Sequence, residues 1–266
     1  METLSSPPRL RLHDRPNLPE YSRQLQRFGI LCDLTGWPAR ALVVLVLIDC
    51  ISIMVDVVVT AAGEAWPGAL ENALLPLRLD TEYGLWATTG YLKLGFLTGV
   101  LFEIFWLRRD SAYLILTGIF AFMMLDDSLK LHERFGRLYG NFHVLPSFRG
   151  VDPTALGELV YFVILGIVIA VLLLLAVIRA KKAEKPTVLA ISGFVLLIGF
   201  FAAGLDFLDV LVSNFSRVAM KVVSLTEDGG ENIVVSLAIV FALGVIKARR
   251  VAERRSGREV PAFRLE

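Results

Sequence analysis

Two short segments hold most of the side chains that could do chemistry. One reads Asp126-Asp127-x-x-x-x-His132-Glu133, and the other Glu227-Asp228-Gly229-Gly230-Glu231-Asn232. Carboxylates with one imidazole suit Mg, Mn, Zn or Fe, and the two cysteines, Cys32 and Cys50, form no thiolate set for a softer ion. A carboxylate beside a metal-bound water can take its proton, which is the arrangement of metal-assisted hydrolysis. Further acids recur at helical spacing: Asp49 and Asp56 are seven apart, and Asp206 and Asp209 three apart. The candidate proton-transfer groups are Glu227 and His132. The candidate ligands of a divalent metal are Asp126, Glu231, Asp56, Glu133 and Asp206. Lys93, Lys130, Asp127, Asp228, Asp209 and Asp49 are expected to support them.

These acids lie in apolar surroundings. The chain of 266 residues is 55% hydrophobic, above the usual range of soluble domains, and its mean hydropathy is +0.63. Hydrocarbon about 30 Å thick needs about 20 apolar residues per helical crossing. Six such runs are expected, at 41–62, 85–107, 112–132, 156–178, 188–212 and 222–246. The fold class is therefore an all-α integral membrane bundle of six helices. Residues 1–39 form a cytoplasmic arm, 40–247 the membrane domain and 248–266 a basic tail. Within the arm, Leu18, Tyr21, Leu25, Phe28 and Cys32 recur as in a short amphipathic helix lying on the inner leaflet. The fourth run has no ionisable residue after Glu158 and is expected to be the most lipid-exposed.

Basic residues cluster before the first run and after the second, fourth and sixth. The positive-inside rule makes that side cytoplasmic, with both termini inside a multi-pass plasma (inner) membrane protein. The near-neutral net charge of +1 suggests no nucleic-acid partner. The partners expected are the lipid bilayer and a lipid or lipid-linked substrate; the sequence does not set the oligomeric state. No disulfide is expected, because neither cysteine can easily reach an oxidising compartment.

A charge near the bilayer centre costs on the order of 3 kcal/mol, so such residues usually face the bundle interior and mark a site. At 1.5 Å per residue, Asp56, Asp126, Asp127, Glu227, Glu231 and Lys93 fall about 8–14 Å below the outer boundary. Crowded acids at one level need a counter-charge or protons. Lys93 and Lys130 offer two positive charges, and a divalent cation would offer the rest. Asp126 and Glu231, each sharing a helix face with a second acid, are expected to meet Glu227; Asp127 and Asp228 are expected to diverge from them.

The inner halves of the third and sixth runs have no ionisable side chain. That one-sidedness favours metal-dependent hydrolysis over the alternative of cation or proton transport. A third reading is a non-catalytic membrane subunit whose polar band only fixes helix register. The chain lacks the His-rich signature of membrane ceramidases and the His boxes of di-iron desaturases, and carries no phosphate-binding Gly-rich loop.

Overall fold

The computed structural model describes residues 30, 32–65, 75–77, 84–142, 153–205 and 217–255. Within them the fold is all-helical, with seven α-helices and no strand. They are α1 (Trp37–Ala65), α2 (Leu85–Arg108), α3 (Ser111–Leu129), α4 (Leu131–Asn141), α5 (Pro153–Arg179), α6 (Lys185–Gly199) and α7 (Arg217–Arg255). Six of these, all but α4, are long and apolar enough to cross a membrane. The expected arm helix between Leu18 and Phe28, the residues 143–152, Asp206, Asp209 and the tail from residue 256 lie outside the described residues.

Local chemistry sets the element ends. Pro38 and Pro153 sit in the first turns of α1 and α5, where a missing N–H costs nothing. The α2–α3 hairpin closes on two residues. Arg109 adopts φ 49° and returns its N–H to Phe105 O, ending α2. Asp110 then caps α3 by accepting from the Ala112 N–H at 3.0 Å. Its other oxygen accepts from Lys181 N at 2.9 Å, which ties this hairpin to the α5–α6 turn. Beside it, Glu184 pairs with Arg108 at 3.0 Å and accepts from the Tyr113 hydroxyl at 2.8 Å.

α7 is the axis of the bundle and packs against α1, α2 and α6. Of its apolar stretch 61% is buried, against 11% for α5, the least buried of the six. The apolar core fills one half of the molecule. Leu94, Leu97, Leu101 and Ile104 of α2 recur at helical spacing and meet Tyr113, Leu116 and Phe120 of α3 and Ile239 and Ala242 of α7.

Three differences from the sequence expectation matter for the site. The third run does not continue to His132. Lys130 takes up φ 53°, ends α3 at Leu129 and starts the separate helix α4. Asp126 and Asp127 therefore lie about 3–5 Å from the end of their helix, and the 126–130–133 face is broken. After Gly199, α6 widens into a π-helical turn, Phe200–Leu205, whose Phe201 ring packs where a side chain on Gly230 would stand. Cys32 is not helical: it lies buried in a segment docked on α7 through Asp33 N–H to Gly244 O at 2.9 Å.

Candidate functional site

The left-handed turn at Lys130 brings α4 back alongside the start of α5. α4 is amphipathic, with His132, Phe135, Gly136, Tyr139 and Gly140 on the face turned to α5. Contact is close because Gly157 of α5 meets Gly136: a Cβ on Gly157 would lie 2.9 Å from the Gly136 Cα. Aromatic rings extend this seam. His132 stacks on Phe162 with centroids 5.3 Å apart, and Phe135 meets Tyr161 at 5.6 Å.

This packing delivers His132 to Asp126. His132 Nδ1 lies 3.3 Å from Asp126 Oδ2, and the Tyr161 hydroxyl donates to Asp126 Oδ1 at 2.5 Å. Asp126 is buried, and Asp127 and His132 are half-buried beside it. One donor atom from each of Asp126, Asp127 and His132 lies within 4.8 Å of the others. If Nδ1–H donates to Asp126, Nε2 is left to ligate or carry a proton. Burial by itself lowers the pKa of His132. The hydrogen bond to Asp126 and the charges of Asp126, Asp127 and Glu133 outweigh it and hold the imidazole above its ordinary value.

α7 carries a second group of acids, Glu227, Asp228 and Glu231. Glu231 lies within electrostatic range of Asp127, Asp228 and Glu227. Asp127, expected to diverge from Asp126, instead lies with Asp126 and His132. The turn at Lys130 brings His132 to Asp127, and helical spacing within one element does not carry that information. The glycines of α7 let other elements pack closely on it: Gly229 stands against Ile53 of α1, and Gly230 against Phe201.

The remaining candidates are placed as follows. Glu133 pairs with Lys130 at 3.5 Å and with Arg137 at 3.1 Å. Asp56 is half-buried on α1, outside the Asp126–Asp127–His132 group. Glu227 and Asp228 are half-buried on α7. Lys93 is drawn to Asp49 and not to the Asp126–Asp127–His132 group. It is buried and donates to Asp49 of α1, with Asn232 Oδ1 at 3.5 Å. The second Asp49 oxygen accepts from the Ser236 hydroxyl at 2.7 Å. This node joins α1, α2 and α7 apart from the His132 cluster. Sequence reading missed Tyr161, which sits in a helix read as lipid-facing; the adjoining Tyr161-Phe162 pair one turn from Glu158 was its signal.

No curated protein and no solved structure matches the chain. A family model does match, over residues 39–246, and the chain belongs to that family, described as a domain of unknown function, DUF8692.

Proposed function

We propose that this is a six-span plasma-membrane protein, both termini cytoplasmic, that binds a divalent cation at its outer face and hydrolyses a membrane-associated substrate there. The membrane reading rests on the six apolar helices and on their outward surfaces, such as Val43, Val44, Leu47, Ile51, Met54 and Val58 of α1, which are exposed. Large apolar patches of this kind require an apolar surrounding. Residues 1–39, 40–247 and 248–266 serve as arm, membrane domain and tail.

The observation that carries the proposal is the approach of Asp126, Asp127 and His132 donor atoms to within 4.8 Å. An imidazole with two carboxylates fits Mn, Zn, Fe or Mg. Asp126, Asp127 and His132 would hold the ion, with Glu231 a further candidate ligand. A bound ion would supply Lewis acidity for the activation of water. Glu227, one turn outward from Glu231, would accept the proton of the attacking water and return it to the leaving oxygen. Residues 237–246 of α7 carry no ionisable group, so the polar side chains stop at Ser236. That one-sided arrangement supports hydrolysis over conduction.

Incubation of the protein in liposomes of mixed lipids with water enriched in oxygen-18 tests the reaction. Mn-dependent appearance of one heavy oxygen in a lipid product, lost in Glu227→Gln, is expected. Product formed with no label, or labelled equally in Glu227→Gln, would refute it.

A further inference from the structure

The metal reading leaves the outward face of α4 unexplained. His132, Phe135, Gly136, Tyr139 and Gly140 turn to α5, and the opposite stripe, Arg134, Arg137, Leu138, Asn141 and Phe142, is exposed. These five recur at i, i+3, i+4, i+7 and i+8, a single helix face. Two guanidinium groups share this face with Leu138 and Phe142.

Its position is unusual. The other basic clusters fall on the cytoplasmic side in the proposed orientation, where the positive-inside rule places them. Lys130, Arg134 and Arg137 lie on the outer side, within one helix and its start. Arg134 and Arg137 stand about 3 Å and about 8 Å beyond His132 along the axis. The headgroup layer on each side of a bilayer is about 5–8 Å thick. The two arginines thus fall at the level of lipid phosphates while His132 and Asp126 sit just beneath. Guanidinium presents paired N–H donors that match phosphate oxygens.

We infer that the exposed Arg134–Arg137 face of α4 binds the phosphate of an outer-leaflet phospholipid and presents that lipid, as substrate, to the Asp126–Asp127–His132 cluster. The inference rests on the hydrolytic reading for the word substrate, while the headgroup site stands on the arginine face alone. Arg134 and Arg137 hold the phosphate. Arg137 also pairs with Glu133 at 3.1 Å, so an occupied headgroup site would compete for a cation next to the cluster.

The test uses the full chain in detergent and three soluble probes: dihexanoylphosphatidate, dihexanoylglycerol and inorganic phosphate. Wild-type protein should bind the phosphatidate at least about tenfold more tightly than either other probe, a difference of about 1.4 kcal/mol. Arg134→Gln/Arg137→Gln should abolish that preference and leave Mn2+ affinity within about twofold. Arg134→Gln alone, which keeps the Arg137–Glu133 pair, should give a partial loss and guards against a folding defect in the double variant. Lys182→Gln, an exposed cation on another loop, should change nothing. Equal phosphatidate binding by the double variant, an equal loss in Lys182→Gln, or inorganic phosphate binding as tightly as the lipid would overturn the inference. Mn2+ binding is titrated in parallel: its absence from wild type removes the metal reading, whereas the arginine variants decide the headgroup site independently.

Discussion

Tyr161 on α5 donates its hydroxyl to Asp126 Oδ1 at 2.5 Å, and His132 on α4 approaches Oδ2 of the same carboxylate at 3.3 Å. One buried acid is therefore held from two helices that meet at glycines. Removing the phenol should leave a buried acceptor without its donor. Tyr161→Phe is expected to destabilise the protein by about 1–3 kcal/mol and to weaken Mn2+ binding by roughly tenfold, as for an outer-shell partner. Thermal unfolding and Mn2+ titration check both. An unchanged Mn2+ affinity would show that Tyr161 does not position Asp126.

The buried Lys93–Asp49 pair should behave as structure. Lys93→Met strands Asp49 and should cost about 3–5 kcal/mol. Replacing both, with Lys93→Met and Asp49→Leu, should recover most of that loss, because a buried pair exchanged for apolar groups is often neutral. Mn2+ binding should persist in the double variant. Loss of Mn2+ there would join the two polar nodes into one site.

The sequence made the long helices legible and left the site's assembly obscure. The run expected at 85–107 appears as Leu85–Arg108, because an apolar run of spanning length leaves few alternatives. The break at Lys130 carries no Gly or Pro to announce it. Only the fall in hydrophobicity after Leu129 and the helical alternation from His132 onward marked it. Lys93 was legible as an intramembrane cation but not its partner. Depth along single helices does not fix rotation, and a four-carbon stem reaches Asp49 on α1. The approach of α4 to α5 depends on Gly136 and Gly157, whose spacing reads equally as loop chemistry.

That close approach gives a third expectation. Gly157→Val would drive a side chain into Gly136 and Tyr139. Overpacking should cost about 1–3 kcal/mol and carry His132 away from Asp126. The outcome is read as lowered stability together with weakened Mn2+ binding. Normal Mn2+ affinity in a destabilised variant would mean that α4 docking does not place His132.

At the other end of the molecule, a clasp should open with acid. Asp33 accepts from Thr35 N at 2.9 Å and Thr35 Oγ1 at 2.6 Å, and pairs with Lys247 at 3.2 Å. Burial pulls its pKa upward, but the hydrogen bonds from Thr35 and the Lys247 ammonium prevail and hold it below the usual value. The folded pKa is thus depressed. The associated stability is fully present above the unfolded value, about 3.9, and is lost as pH falls through the folded one. Cys32 lies beneath this clasp, its thiol pushed up to about 12 by burial and then by Asp33. In a Cys50→Ser background, Cys32 should resist dithiodipyridine at neutral pH and react as pH drops below about 4. Asp33→Asn should expose it at neutral pH. Protection that is independent of pH and of Asp33 would contradict the clasp.

Binding of Mn2+ to the purified chain, followed by loss of the free-ion electron paramagnetic resonance signal, tests the metal site most directly. The account predicts saturable binding to wild type, weakened by about tenfold or more in Asp126→Asn, Asp127→Asn and His132→Gln, and retained when Lys93 and Asp49 are replaced together. Absence of saturable binding to wild type, or equal affinity in all three cluster variants, would contradict it.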